Sequence, residues 1–157
     1  MNNYSRVDRA LRIISYILRL FYNTHPVHRS NRHCYNDTII SAYEIKRTKL
    51  HLAIVSQQHH YADEYKCLLD KNPLNSKSCL ISLNPFLDKD GVMRLNGPLV
   101  KSPSLSYTEK HPIILPYSSR FTQLLTEFVH MISIHGGNQL MLRILRNTLR
   151  RNKMRIK

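Results

Sequence analysis

Apolar residues near the start of the chain recur with the period of an α-helix. Between residues 5 and 23 they stand at steps of four and three, at Val7, Leu11, Ile14, Leu18 and Phe21. This spacing places them on one helical face, and the arginines among them fall largely on the other side. We therefore predict a first helix that packs through its apolar face, followed by a polar, proline-bearing linker that ends near Asp37.

A second and longer helix is predicted from Ser41. Glu44 stands three residues after this serine, which is the pattern of a capping box, in which each side chain binds the backbone N–H of the other residue. Helical periodicity continues to about Asp70 without proline or glycine, and the Asn72-Pro73 pair ends it. The residues that we expect on its buried face are Ile45, Leu52, Val55, Ala62 and Leu69.

The middle of the chain predicts a β-hairpin. Residues 78–84 alternate as a strand does, residues 92–95 form its expected partner, and the stretch from Leu87 to Gly91 between them is rich in turn-forming residues. Residues 111–116, which contain two prolines, are expected to form an edge strand.

Two further helices are predicted towards the C-terminus. Ser118 or Ser119 caps the first, which runs through Phe121, Leu124, Leu125, Phe128 and Ile132, and Gly136-Gly137 ends it. Asn138 caps the second, and its expected inward residues are Leu140, Ile144 and Leu145.

The predicted fold class is mainly α-helical with a small β-hairpin (α+β). Four segments follow from this organisation: an N-terminal helix and linker at 1–37, a long connecting helix at 38–75, a β-hairpin extension at 76–117 and a helical domain at 118–157.

The charge of the chain favours a polyanionic partner. Lysine and arginine number 24 against 10 aspartate and glutamate, so the net charge is +14. Such an excess repels itself unless a polyanion or an acidic partner neutralises it, and nucleic acid is the commonest such partner. An acid-free tail supplies the candidate nucleic-acid-binding residues, which are Arg143, Arg146, Arg150, Arg151, Lys153 and Arg155.

Cysteine usage and hydropathy bear on location. The three cysteines include no Cys-x-x-Cys pair, so we expect free thiols in a reducing compartment and an intracellular protein, in the nucleus or the cytoplasm. No stretch approaches the roughly 18 unbroken apolar residues of a membrane span, and no membrane partner is expected. A mitochondrial presequence in the Arg-bearing first helix is an alternative.

Two histidines precede a pair of glycines in the run His130-x4-His135-Gly136-Gly137. Five residues turn a helix by about 500°, so the two rings converge only if the second lies beyond the helix end. Zinc sites use this geometry, although two histidines alone are more often ordinary core or surface residues. No acid/base couple, nucleophilic triad or phosphate-binding loop is recognisable, so the chain is not expected to be an enzyme.

Four motifs, in this order and spacing, closely resemble the polyprotein of Pao/BEL-type long-terminal-repeat retrotransposons. They occupy residues 83–95, 105–116, 121–125 and 130–137, and the resemblance covers at least residues 41–146. It points to the segment that follows ribonuclease H and reaches into the N-terminal zinc-binding domain of integrase. It implies an incomplete three-helix unit with His130 and His135 as two ligands of a His-His-Cys-Cys zinc site, a unit that supports binding of element-end DNA and multimerisation.

The chain departs from the family's pattern in three places. The family's Cys-x2-Cys pair does not occur before Lys157, Gly97-Pro98-Leu99 replaces a Gly-Arg-Leu run, and Thr148-Leu149 stands where an aromatic pair is expected. A structural zinc ion needs four ligands, so this chain alone cannot complete the site by the family's route.

Two hypotheses remain open. In the first, the chain is a non-catalytic fragment that binds DNA or RNA, with a homo-oligomer or other polyprotein segments as further partners, and zinc as cofactor if its site is completed. In the second, it is a degenerate remnant that acts at most as a protein-interaction or structural module, without metal or nucleic-acid binding.

Overall fold

The computed structural model of the protein describes residues 4–24, 39–97, 105–134 and 136–150. The side chains of residues 4, 5 and 150 are not described. The helices are α1 (Tyr4–Thr24), α2 (Ala42–His60), α3 (Ala62–Leu69), α4 (Tyr107–Lys110), α5 (Arg120–Ile132) and α6 (Asn138–Arg150). A 3-10 helix (Ile81–Leu83) and the strands β1 (Pro85–Leu87) and β2 (Met93–Leu95) lie between α3 and α4. The predicted class, mainly α-helical with a small β-hairpin, is confirmed.

The main apolar core joins α1 to the C-terminal helices. Its buried residues are Val7 and Leu11 of α1 and Leu125, Phe128 and Val129 of α5. The inward position one turn after Leu11 is Ser15, whose hydroxyl donates to the Leu11 carbonyl and lies 2.7 Å from the Thr48 hydroxyl. Phe21 was expected on this face but is 68% exposed, because the buried stripe follows steps of four residues from Val7 through Ser15 and leaves Phe21 to one side.

Helix α2 begins as predicted, but its buried face is not the predicted one. Ser41 and Glu44 form the capping box. The helix ends at His60, because Tyr61 (φ −127°, ψ 44°) leaves helical geometry and α3 then starts afresh. Its buried residues are mainly polar: Glu44, Thr48, Lys49, Ala53, Ser56 and Gln57. The predictions of buried Val55 and Leu69 are wrong, since both are exposed, and Ala62 is exposed as well.

The hairpin is confirmed with a shifted first strand. Pro85 pairs with Leu95 and Leu87 with Met93 in an antiparallel register. Residues 78–84 form turns and the 3-10 helix instead of a strand, because Asn84 adopts a left-handed conformation (φ 44°) just before β1. Ile113 forms a single antiparallel bridge with Arg94, as expected of an extended edge piece.

A buried carboxamide connects α2 to this hairpin. Gln57 Nε2 donates to the carbonyls of Met93 (2.8 Å) and Ile114 (2.7 Å), and Gln57 Oε1 accepts from the Met93 N–H at 2.8 Å. The side chain therefore completes the backbone hydrogen bonding of two neighbouring extended segments in the interior, where an unpaired group is costly.

The α5–α6 connection differs from the prediction. Helix α5 ends at Ile132, and the left-handed residue that follows is Ile134 (φ 51°) rather than a glycine. Gly136 is required for space, since a Cβ there would lie 2.7 Å from Leu140 Cδ2 and 2.9 Å from the Ser133 carbonyl oxygen. None of the helices in the described part of the chain is both long enough and apolar enough to cross a membrane.

Candidate nucleic-acid interface

Helix α6 is held against the body of the protein by one face. Met141, Ile144, Leu145 and Leu149 pack against the main core. This confirms the predicted inward positions 144 and 145, whereas Leu140 is exposed, because Met141 takes the core position in the first turn. The last turn is also tied to α2, since Lys49 Nζ donates to the Thr148 carbonyl at 3.3 Å.

The opposite face of α6 carries two of the residues predicted to bind nucleic acid. Arg143 and Arg146 are both exposed, and their spacing of three residues places them on the same side of the helix. Arg150 is the last residue of α6, one turn after Arg146. The remaining predicted residues, Arg151, Lys153 and Arg155, lie outside the described residues.

The electrostatics of α6 suit an anionic ligand. The helix contains no aspartate or glutamate, so no acidic neighbour on the same helix neutralises its arginines. Leu142 is also exposed and lies next to Arg143 in the sequence. The exposed side can therefore offer guanidinium groups to phosphate together with a small apolar contact.

The arginines of α1 do not all behave alike. Arg6, Arg9 and Arg12 are exposed, as the sequence predicts. The prediction is wrong for Arg19, which forms an ion pair with Glu44 (Nε to Oε1, 2.6 Å) and is largely buried. Helical periodicity gave no sign of this pair, because its two members lie 25 residues apart.

The predicted zinc ligands are described only in part. His130 is exposed in the last turn of α5, and the Ser133 hydroxyl donates to its carbonyl oxygen at 2.9 Å. His135 lies outside the described residues, so the convergence of the two rings stays a prediction. Within the described ranges no three His, Cys, Asp or Glu side chains are grouped so as to hold a metal ion. Cys67 and Cys79 are free thiols, as expected.

Burial perturbs one cation beside this interface. Desolvation lowers the pKa of the Lys49 ammonium below its ordinary value of 10.5, and the negative charge of Asp8 partly offsets the effect. Lys49 therefore fixes α6 at a cost in desolvation, and it is too buried to contact a ligand.

A second set of basic side chains was not singled out from the sequence. Tyr43, Lys46, Arg47 and His51 of α2 line an open groove beside α1. The signal for it is one aromatic residue, Tyr43, one helical turn before the adjacent cations Lys46 and Arg47; aromatic and basic side chains together are typical of surfaces that bind nucleic acid.

Comparisons of the chain with protein-family models, with curated proteins and with solved structures give no match. The candidate interface is therefore defined by its own residues: an arginine-bearing face on a helix whose other face is packed.

Proposed function

We propose that the chain is a non-catalytic nucleic-acid-binding segment of a retrotransposon polyprotein, related to the zinc-binding domain used in DNA integration. The observation that supports this proposal most directly is the two-sided helix α6, which packs through Ile144 and Leu145 and exposes Arg143 and Arg146. The net charge of +14 supports it further. In this proposal the partner is DNA or RNA and the chain acts in the nucleus or the cytoplasm.

The proposal makes a quantitative statement about salt. Each phosphate that a protein neutralises releases counterions, so the affinity for duplex DNA falls by about 0.9 log units per log unit of salt. If Arg143 and Arg146 each contact a phosphate, replacing one of them should make this slope shallower by about 0.9. Both side chains are exposed, so the replacements should leave the fold intact.

The experiment is a salt titration of binding to a labelled DNA duplex, followed by fluorescence anisotropy. Arg143→Gln, Arg146→Gln and the double variant are compared with Lys77→Gln combined with Arg120→Gln, two exposed cations outside α6. The proposal expects a shallower slope for the α6 variants only. A salt-independent affinity of the wild type, or an equal change in the control, contradicts it.

A second candidate function rests on the outer face of α1. Ile13, Ile17 and Leu20 are 46–63% exposed and recur at helical spacing, forming an apolar stripe of the kind that marks interaction surfaces. This favours the degenerate interaction or structural module, with self-association as one form. Absence of nucleic-acid binding combined with oligomers in sedimentation analysis would support this reading.

Zinc separates the two candidates. In the first, His130 and His135 supply two ligands and a cysteine pair from another polypeptide segment completes the site. Metal that binds only the folded state raises the melting temperature by linkage. The melting temperature is therefore measured together with a polypeptide that carries the Cys-x2-Cys pair. A rise with equimolar zinc that is lost in His130→Ala supports the integrase-like reading, and an unchanged melting temperature under these conditions supports the remnant.

A further inference from the structure

An open groove of about 760 Å³ lies between α1 and α2. Its volume is within the range of ligand clefts, roughly 300–1,000 Å³. Three aromatic side chains line it: Phe21 and Tyr22 from α1 and Tyr43 from α2. Phe21 is 68% exposed and Tyr43 is 63% exposed, so both rings present most of their surface to a ligand.

The cations that line the groove, Arg19, Lys46 and Arg47, outnumber the two acids, Glu44 and Asp90. Lys46 and Arg47 line it along α2, and the imidazole of His51 lies on the same helix. The carboxylate of Glu44 also lines it, but the ion pair with Arg19 compensates that negative charge.

One of these cations is already stacked on an aromatic ring. The Arg47 guanidinium lies 5.2 Å from the centre of the Tyr22 ring, a cation–π arrangement that positions it at the groove wall. One further acid, Asp90 of the hairpin turn, lines the groove, and the positive charges remain in excess. The groove therefore combines exposed rings with charge suited to a polyanion.

We infer that this groove binds single-stranded nucleic acid, with bases stacked on Tyr43 and Phe21 and backbone phosphates near Lys46 and Arg47. The inference takes its class of partner from the proposed function but uses none of the α6 residues. Every base has a flat face that stacks on an aromatic ring, and only an unpaired strand presents that face freely.

Other occupants fit the groove less well. A duplex keeps its bases stacked on one another and would leave the rings of Tyr43 and Phe21 unused. An apolar protein helix would cover the rings but would desolvate Lys46 and Arg47 without neutralising them. The lining extends along α2 from Tyr43 to Ile54, about 16 Å at the helical rise, which is long enough for several nucleotides.

The test compares a fluorescein-labelled oligothymidylate, a labelled DNA duplex and a heparin oligosaccharide of similar charge, all with the full chain. The protein has nine tyrosines and no tryptophan, so the part of its tyrosine-fluorescence quenching by unlabelled oligothymidylate that is lost in Tyr43→Leu reports stacking of bases on the Tyr43 ring. We expect the oligothymidylate to bind more tightly than heparin and to quench this fluorescence, whereas heparin should not.

Substitution of one ring makes the test specific. Tyr43→Leu should weaken oligothymidylate binding roughly tenfold, whereas Tyr43→Phe, which keeps the ring, should bind as the wild type does. Tyr117→Leu is the control, because Tyr117 is 88% exposed and does not line the groove. Circular dichroism of each variant checks that the helices are retained.

The outcomes distinguish this inference from the proposed function. Duplex binding that depends on Arg143 and Arg146, with no effect of Tyr43→Leu on the oligothymidylate, overturns the groove and leaves the proposed function standing. Equal affinity for heparin and the oligothymidylate also overturns it, since charge alone would then explain binding. If neither nucleic acid binds, both fail.

Discussion

Arg19 and Glu44 form a bidentate ion pair that joins α1 to the first turn of α2. Arg19 Nε donates to Oε1 at 2.6 Å and Nη2 donates to Oε2 at 2.7 Å. The same Oε2 accepts the backbone N–H of Ser41 at 2.8 Å, as part of the capping box. One carboxylate therefore caps a helix and holds a second helix, and the side chains are only 10% and 8% exposed.

Removing this carboxylate should destabilise the protein strongly. Glu44→Gln leaves the Arg19 charge buried without its counter-ion, which we expect to cost about 3 kcal/mol of unfolding free energy. Urea unfolding at neutral pH measures the loss. The control is Glu127→Gln, since Glu127 is exposed on α5 and should change stability by less than about 0.5 kcal/mol.

The same pair predicts a pH dependence. Hydrogen bonds from Arg19 hold the pKa of Glu44 below its ordinary value of 4.5. The unfolded chain therefore takes up this proton at higher pH than the folded chain, so the stabilisation is complete above pH 4.5 and decreases as the pH falls through the folded pKa. In acid, the stability difference between the wild type and Glu44→Gln should shrink. A difference that stays constant down to pH 3 contradicts the assignment.

Replacing Gln57 should destabilise the protein as much as replacing an apolar core residue does. Gln57→Leu has similar bulk but leaves the Met93 N–H and the Ile114 carbonyl unpaired, whereas the Met93 carbonyl still accepts from the Ile114 N–H at 3.1 Å. Each buried group left unpaired costs about 1–3 kcal/mol, so we expect the unfolding free energy to fall by at least about 2 kcal/mol. Gln58→Leu, at the adjacent exposed position, is the matched control and should be nearly neutral. Equal melting temperatures for the two variants would refute this role.

Hydrophobic periodicity predicted the helices that pack through apolar faces. Val7 and Leu11 of α1 and Ile144 and Leu145 of α6 occupy or border the main core as expected. The capping box at Ser41 could also be predicted from the sequence, because it depends on two residues three positions apart. Local rules were sufficient for these features but not for the end of α5, where Ile134 rather than a glycine is left-handed.

The face of α2 could not be predicted in the same way. Its buried positions are filled by polar side chains such as Thr48 and Gln57, whose partners lie on α1 and on the hairpin. Only the tertiary arrangement shows that these groups are satisfied, so an apolar pattern selected Val55 and Leu69 instead. The α1–α2 groove was missed for the same reason, since Tyr22 and Arg47 meet only after the two helices have packed.

Replacing Ile134 with glycine should stabilise the protein. It is an exposed β-branched residue with φ 51°, a conformation that costs L-residues with a side chain roughly 1 kcal/mol or more. Ile134→Gly should therefore raise the free energy of unfolding by about 1 kcal/mol, although the greater freedom of glycine in the unfolded chain reduces the gain. Ile132→Gly, in the last turn of α5, is the contrasting control and should lower it by a similar amount. Destabilisation by both substitutions would refute the left-handed conformation at position 134.

Lys49 should give the stability a second dependence on pH. Its cause is the burial of a charge, whereas the cause at Glu44 is an ion pair. Burial lowers the pKa of its ammonium below 10.5, so between the folded pKa and 10.5 the unfolded chain holds more protons at this site than the folded chain. The contribution of Lys49 to stability therefore rises with pH in this window, as the buried charge is discharged. Lys49→Met should abolish this rise, whereas Lys66→Met, at an exposed position on α3, should retain it.

The measurement is urea unfolding of the three proteins from neutral to alkaline pH. At each pH the free energy of unfolding of the wild type is subtracted from that of each variant. Taking this difference cancels the titration of the tyrosines and of the lysines that are present in all three proteins. At neutral pH Lys49→Met loses the bond to the Thr148 carbonyl but also the desolvation of a buried charge, so a change within about 1 kcal/mol is expected. A difference that does not change with pH would show that Lys49 is not desolvated in the folded protein.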